Sequence, residues 1–111
     1  MALFRLTRYT LRPDATLDAE RAMHAYATYV RAELPGSMWT VYRDRNHPSA
    51  YVALARVEDT RADDRERASP GLAALQAALA PLLDGAPEVT EYELVTSTDL
   101  APRPRASRTK R

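Results

Sequence analysis

The sequence predicts an α+β fold of order βαββαβ, with one four-stranded antiparallel sheet carrying two helices on one face. Four segments alternate apolar and polar residues with period two, and two others repeat apolar residues every three or four positions. Pro and Gly punctuate the junctions between them. This succession is the split-βαβ, ferredoxin-like arrangement. A chain of 111 residues admits one domain of this kind.

Residues 3–12, LFRLTRYTLR, alternate in the manner of a strand until Pro13-Asp14 breaks the pattern. Thr16 or Asp14 is expected to cap the next segment, with Asp18 and Glu20 well placed near the positive end of its dipole. Ala19, Met23, Tyr26, Ala27, Val30 and Leu34 then recur at helical spacing, with Arg21, His24, Thr28 and Arg31 on the other face. An amphipathic helix over 17–34 follows, ended by Pro35-Gly36. Residues 38–43, MWTVYR, and 50–57, AYVALARV, are strands joined by the polar hairpin loop DRNHPS, 44–49. Thr60-Arg-Ala-Asp63 fits a capping box opening a short polar helical turn. Ser69-Pro70 supplies a second helix start, a capping hydroxyl followed by Pro in the first turn. Leu72, Leu75, Leu79 and Leu82 line one face of that helix, and Pro81 should kink or tighten its end. After Gly85 and Pro87, residues 88–96, EVTEYELVT, form the last strand.

Both faces of this sheet carry apolar residues. Strand one offers Leu3, Arg5, Thr7 and Tyr9 on one side and Phe4, Leu6 and Arg8 on the other. Strand three sets Tyr51, Ala53, Ala55 and Val57 against Val52, Leu54 and Arg56. A sheet with one face in water alternates more cleanly, so the second face is expected to be covered by another copy of the chain in a twofold homodimer.

Composition narrows the function. There is no Cys, which excludes disulfides, thiol nucleophiles and Cys-ligated metal, and two His are too few for a His-rich metal cage. No apolar run approaches the ~20 residues of a membrane span, and the opening MALFRLTRYTLR lacks the apolar core of a signal peptide, so a cytoplasmic location is expected. The segment 99–111 carries five basic residues and one acidic residue. Removing these from the 16 basic and 15 acidic residues leaves 11 and 14 in positions 1–98, a net of −3. The expected organisation is therefore a mildly acidic domain, 1–98, and a disordered basic tail, 99–111. No aromatic residue interleaves the tail's charges, so neither a nucleic acid nor a membrane is expected as partner. Only Gly36, Gly71 and Gly85 occur, each at a helix boundary, which excludes a phosphate-cradling loop. Asp63, Asp64 and Glu66 alternate with Arg61, Arg65 and Arg67 and read as a solvated, salt-bridged turn.

The segments RASPGLAALQAALAPLLDGAPEVTEYELV, 67–95, and YVALARVED, 51–59, resemble the antibiotic biosynthesis monooxygenase-like family of the dimeric α/β-barrel superfamily. The shared features are the Ser-Pro helix opening, the leucine-rich helix, the Leu-Leu-x-Gly-x-Pro exit and the final Tyr-Glu strand. The resemblance implies a dimeric barrel and, in some members, oxidation of anthrone- or quinol-like aromatics without metal or flavin. The family often has His after the Ser-Pro pair and shortly before it, where this chain has Gly71 and, approximately, Glu66. Its strand-three Glu and Trp fall near Ala55 and Val57. The haem-degrading branch needs a strand-one Asn, near Thr7 here, and a ligating His on the second helix. No His follows His47, so haem degradation is not expected and no cofactor is implied.

An oxygenase of this kind needs a dry apolar pocket, groups that hold a phenolate, and a route for one proton. His24, as proton acceptor, and Arg43, as a cation for a phenolate, are the catalytic candidates; Arg5 is a second such cation. His24 falls on the polar helix face, and His47 reads as a turn residue. Trp39 can stack on a flat substrate or serve as a core or dimer-interface aromatic. Tyr9, Tyr26 and Tyr51 can hydrogen-bond a quinone oxygen, Met23 can floor a pocket, and Thr7 completes the pocket set. The expected function is a cofactor-independent monooxygenase acting on a small aromatic quinol or anthrone. The alternative is a non-catalytic dimeric α/β-barrel protein that binds a small apolar ligand or serves as an assembly module.

Overall fold

Eight-residue strand β1, Leu3–Thr10, runs through the middle of the sheet and pairs antiparallel on both sides. Helix α1 spans Thr16–Glu33, β2 Met38–Arg43, β3 Ala50–Val57, α2 Thr60–Arg67, α3 Pro70–Leu79, and β4 Glu88–Glu93. The computed structural model describes residues 2–99; the tail expected from residue 99 lies, from residue 100 onward, outside the described residues. The sheet has four strands in the order β2-β3-β1-β4, all neighbours antiparallel, which is the ferredoxin-like α+β fold the sequence predicts.

Register decides which side chains meet the helices. Arg5 pairs with Ala55 and Glu91, Thr7 with Ala53 and Val89, and Tyr9 with Tyr51. Side chains alternate across a strand, so these residues share one face with Trp39 and Val41 of β2. On that face α1 buries Ala19, Met23, Tyr26 and Val30 against Tyr9, Tyr51, Ala53, Leu75 and Leu79. Each buried aliphatic or aromatic side chain contributes about 1.5–3 kcal/mol, enough to hold a helix whose opening has no side-chain cap.

Several local expectations are corrected. Ala15, not Thr16 or Asp14, occupies the position before α1, because Thr16 is already helical. Ala27 is exposed, since one residue past Tyr26 the helix has turned off the buried stripe. Asp59 rather than Thr60 caps α2, its carboxylate accepting from the Ala62 amide at 2.9 Å. Strand β1 stops at Thr10, and Leu11 bridges to Leu83 instead. Strand β4 ends at Glu93, short of the expected Thr96. Ser69 caps α3 as expected, accepting from the Leu72 amide at 3.2 Å. Pro81 tightens the end of that helix into a 3-10 turn, Ala80–Leu82.

Two helices approach closely at Gly71, where a Cβ would stand 2.2 Å from the Tyr29 ring of α1. The other sheet face carries Phe4, Leu6, Val52 and Leu54, half-buried, with Met38, Tyr42 and Tyr92 about half exposed. Among the described residues no helix is long and apolar enough to cross a membrane.

Candidate functional site

Arg5 is the anomaly from which the site is built. Strand alternation turns it toward the helices, between Leu3 and Thr7, and only 14% of its side chain is exposed. A cation in that position requires partners. Helix α2, sequence TRADDRER, brings Asp63 and Glu66 to it, one turn apart on a single face. Arg5 Nη1 meets Asp63 Oδ1 and Nη2 meets Glu66 Oε1, each at 2.5 Å. Glu66, 2% exposed, also accepts a 2.6 Å hydrogen bond at Oε2 from the Tyr26 hydroxyl of α1. Asp63 further accepts from Arg67 Nε at 2.8 Å, and Arg67 pairs with Glu91 of β4.

These contacts set the electrostatics. Burial and the hydrogen bond to Glu66 push the Tyr26 hydroxyl far above the usual phenol range. Burial also raises Tyr9, against the opposing pull of Arg5. For Asp63 burial works the other way, but Arg67 and Arg5 outweigh it and hold the carboxyl below its ordinary value. Arg5 is likewise penalised by burial, yet Glu66 and Asp63 hold its guanidinium above the ordinary value.

Beside this cluster lies a cavity of about 510 Å³ between the sheet and the helices. Arg5, Thr7, Tyr9, Ala53 and Ala55 form its floor, and Trp39 is one wall. Glu66, Leu72, Gln76 and Leu79 approach from the helices, with Leu83, Pro87 and Val89 toward β4. The small Ala53 and Ala55 at the sheet centre leave the space that larger residues would fill. Trp39 stands edge-on to Tyr26, their rings 5.0 Å apart at 89°. The chemistry on offer is a mostly apolar slot with one fixed carboxylate, Glu66, two paired cations, Arg5 and Arg67, and the hydroxyl groups of Thr7 and Tyr9.

A second groove, about 350 Å³, lies on another side of Trp39 and is lined by Glu20, Met23, His24, Arg43 and Tyr51. There the Tyr51 hydroxyl donates to Glu20 Oε2 at 2.5 Å, and Arg43 sits 3.2 Å from the same oxygen. Burial and that carboxylate push Tyr51 up to about 12. A third trough, about 590 Å³, runs past Arg5 and Arg67 along the ends of β1 and β4.

The sequence-derived candidates are thus divided. Thr7, Tyr9 and Trp39 line the 510 Å³ cavity, and Tyr26 reaches its edge through Glu66. Met23, His24, Arg43 and Tyr51 line the smaller groove with Trp39. The solvated reading of the acidic run is corrected. Asp64, Arg61 and Arg65 are exposed, but Glu66 is buried and Asp63 nearly so, because Arg5 needs them. The signal was an arginine on the inward side of a strand together with a charged helix lacking an apolar face. Among the described residues no group of three or more His, Asp or Glu could hold a metal ion.

No family model matches the chain, and no curated protein matches it. Solved structures do. A candidate antibiotic biosynthesis monooxygenase from Caulobacter crescentus superposes with a TM-score of 0.80 at 20% identity, over 86% of this chain and 91% of that one. The fold is that of the antibiotic biosynthesis monooxygenase proteins. The protein Rv0793 of Mycobacterium tuberculosis superposes with a TM-score of 0.79 at 22% identity, over 88% of this chain and 99% of that one. SnoaB, a cofactor-independent oxygenase from Streptomyces nogalater, gives 0.74 and 24%, over 87% and 96%. At these identities the likeness is one of fold.

Proposed function

We propose that this chain is a homodimeric, cytoplasmic, cofactor-independent monooxygenase that oxidises a small aromatic quinol or anthrone with dioxygen in the 510 Å³ cavity. Glu66 carries the reading: a buried carboxylate, held on both oxygens by Arg5 and Tyr26, at the edge of a mostly apolar cavity beside a tryptophan. The substrate stacks on Trp39, with its acidic hydrogen, a quinol O–H or a C–H of the anthrone CH₂, toward Glu66 and its oxygen toward Arg5. Glu66 takes the proton, and the resulting anion pairs with the Arg5 guanidinium, which remains cationic. The electron-rich anion passes one electron to dioxygen. The substrate radical and superoxide then join in a C–O bond, and the proton returns from Glu66 to the peroxide. For an anthrone, loss of one water from the hydroperoxide leaves the quinone carbonyl: CH₂ plus O₂ becomes C=O plus H₂O, with no outside reductant.

Support for the dimer comes from the uncovered sheet face, with Met38 49%, Tyr42 58% and Tyr92 48% exposed around the half-buried Phe4, Leu6, Val52 and Leu54. Sedimentation at micromolar concentration tests it, and a lone subunit refutes it.

Oxygen uptake with a panel of anthrones and hydroquinones tests the chemistry. Turnover is expected in the wild type, with a loss of about a hundredfold in Glu66→Gln, the scale of a general base. A rate lost in His24→Ala or Arg43→Ala but kept in Glu66→Gln moves the chemistry to the smaller groove. Quenching of Trp39 fluorescence by these aromatics with no oxygen consumed makes the cavity a binding site only.

A further inference from the structure

Three aromatic rings leave the cavity in sequence. Trp39 lines its wall, Tyr26 stands 5.0 Å from Trp39, and Tyr29 lies 6.2 Å from Tyr26 at an interplanar angle of 18°. Trp39 and Tyr29 are half-buried and Tyr26 is buried between them. The space for the last ring is provided by Gly71, since any side chain there would overlap Tyr29. The middle ring has a proton acceptor in place, the Glu66 carboxylate 2.6 Å from its hydroxyl. A buried phenol gives up an electron readily only if its proton leaves too, because a buried phenol radical cation is charged and unsolvated. Tyr26 satisfies that condition without water.

We propose that Trp39, Tyr26 and Tyr29 form an electron-transfer chain that drains oxidising radicals from the cavity to the half-buried Tyr29 ring between α1 and α3, with Glu66 as acceptor of the Tyr26 proton. The protective role rests on the oxygenase reading above; the chain of rings does not. The oxidant is an organic peroxyl radical, formed when a substrate radical escapes superoxide and captures a second dioxygen. Trp39 gives it one electron, and the peroxide anion takes the proton Glu66 had removed from the substrate. Glu66, a carboxylate again, accepts the phenolic proton of Tyr26 as the Tyr26 electron refills Trp39. The products are a hydroperoxide and a neutral Tyr26 radical. Tyr29 then reduces Tyr26, whose proton returns from Glu66, and Tyr29 loses its own proton to solvent. A small thiol, oxidised to its thiyl radical, returns one electron and one proton to Tyr29.

Pulse radiolysis with azide radical tests the chain with no substrate and no oxygen chemistry, so its failure is separate from that of the oxygenase reading. Azide radical oxidises tryptophan, and Trp39 is the single tryptophan of the protein. The tryptophanyl absorption is expected to decay at a rate independent of protein concentration, matched by a rise in tyrosyl absorption. Tyr26→Phe, which keeps the ring, should slow this decay about tenfold or more, as should Glu66→Gln, the change expected on losing one charge-assisted acceptor. In the wild type the decay should also slow in D₂O, a reading that needs no variant. A wild-type rate in Tyr26→Phe overturns the proposal. So does a rate unchanged in D₂O, or one that grows with protein concentration.

Discussion

Replacing Arg5 with Met removes the cation and keeps most of the stem that packs on the sheet. Two carboxylates are then left against the core, Glu66 with 2% and Asp63 with 15% of the side chain exposed. Asp63 retains Arg67 at 2.8 Å, and Glu66 retains the Tyr26 hydroxyl at 2.6 Å. Orphaning one member of a buried pair costs about 3–5 kcal/mol. The Tyr26 bond that Glu66 retains offsets about 1 kcal/mol, so a net loss near the lower figure, about 3 kcal/mol, is expected at pH 7. Against a total of about 5–15 kcal/mol for a domain, this is a large fraction. With a urea slope of about 1–3 kcal/mol per molar, the unfolding midpoint should fall by about 1–3 M. The double variant Arg5→Met with Glu66→Gln should recover at least about 1 kcal/mol of the sum of the single effects, because the neutral amide no longer needs the cation. An Arg5→Met midpoint within about 0.3 M of the wild type would show that the cluster is solvated and that Glu66 is not held as described.

The remaining expectations test the frame around the site. Gly71→Ala should destabilise despite a helix-propensity gain of up to about 1 kcal/mol, because overpacking against Tyr29 costs about 1–3 kcal/mol; a cycle with Tyr29→Ala, read by thermal unfolding, should show a coupling that relieves it. Ser69→Ala should cost about 1 kcal/mol in urea unfolding, since Oγ accepts from the Leu72 amide and donates to the Glu66 carbonyl. Stability should decline as pH rises above about 10, because Tyr9, Tyr26 and Tyr51 ionise less readily folded than unfolded, and the unfolded chain gains by releasing those protons. Tyr26→Phe should flatten that decline. In acid the sign reverses: Asp63 is held below its ordinary value, so its contribution is present above about pH 4 and is lost as pH falls through the lowered folded value.

How much of this was legible in the sequence differs between the frame and the site. Tyr9 was recognisable because a strand sends alternate residues inward whatever lies above it, whereas the face that Trp39 occupies was fixed only by its pairing opposite Ala55 of β3. The helix beginning at Pro70 was marked by its own cap, Ser69, one residue earlier. Asp59 was missed beside Thr60 because both residue types cap, and only backbone geometry chooses between them. His24 and Arg43 looked catalytic by residue type, yet the fold sets them around Glu20 and Tyr51 in the smaller groove.

The residues in order therefore determined the succession of strands and helices, their approximate ends and the two apolar sheet faces. Period and punctuation act over a few neighbours, and they are written locally. Only the tertiary structure joined Arg5 to Glu66, 61 positions away, and Glu66 to Tyr26, 40 positions away. A charged turn reads as solvated until a buried cation from a distant strand is placed beneath it. The cost of leaving that cation unpaired, paid only inside the folded core, turns the carboxylate inward.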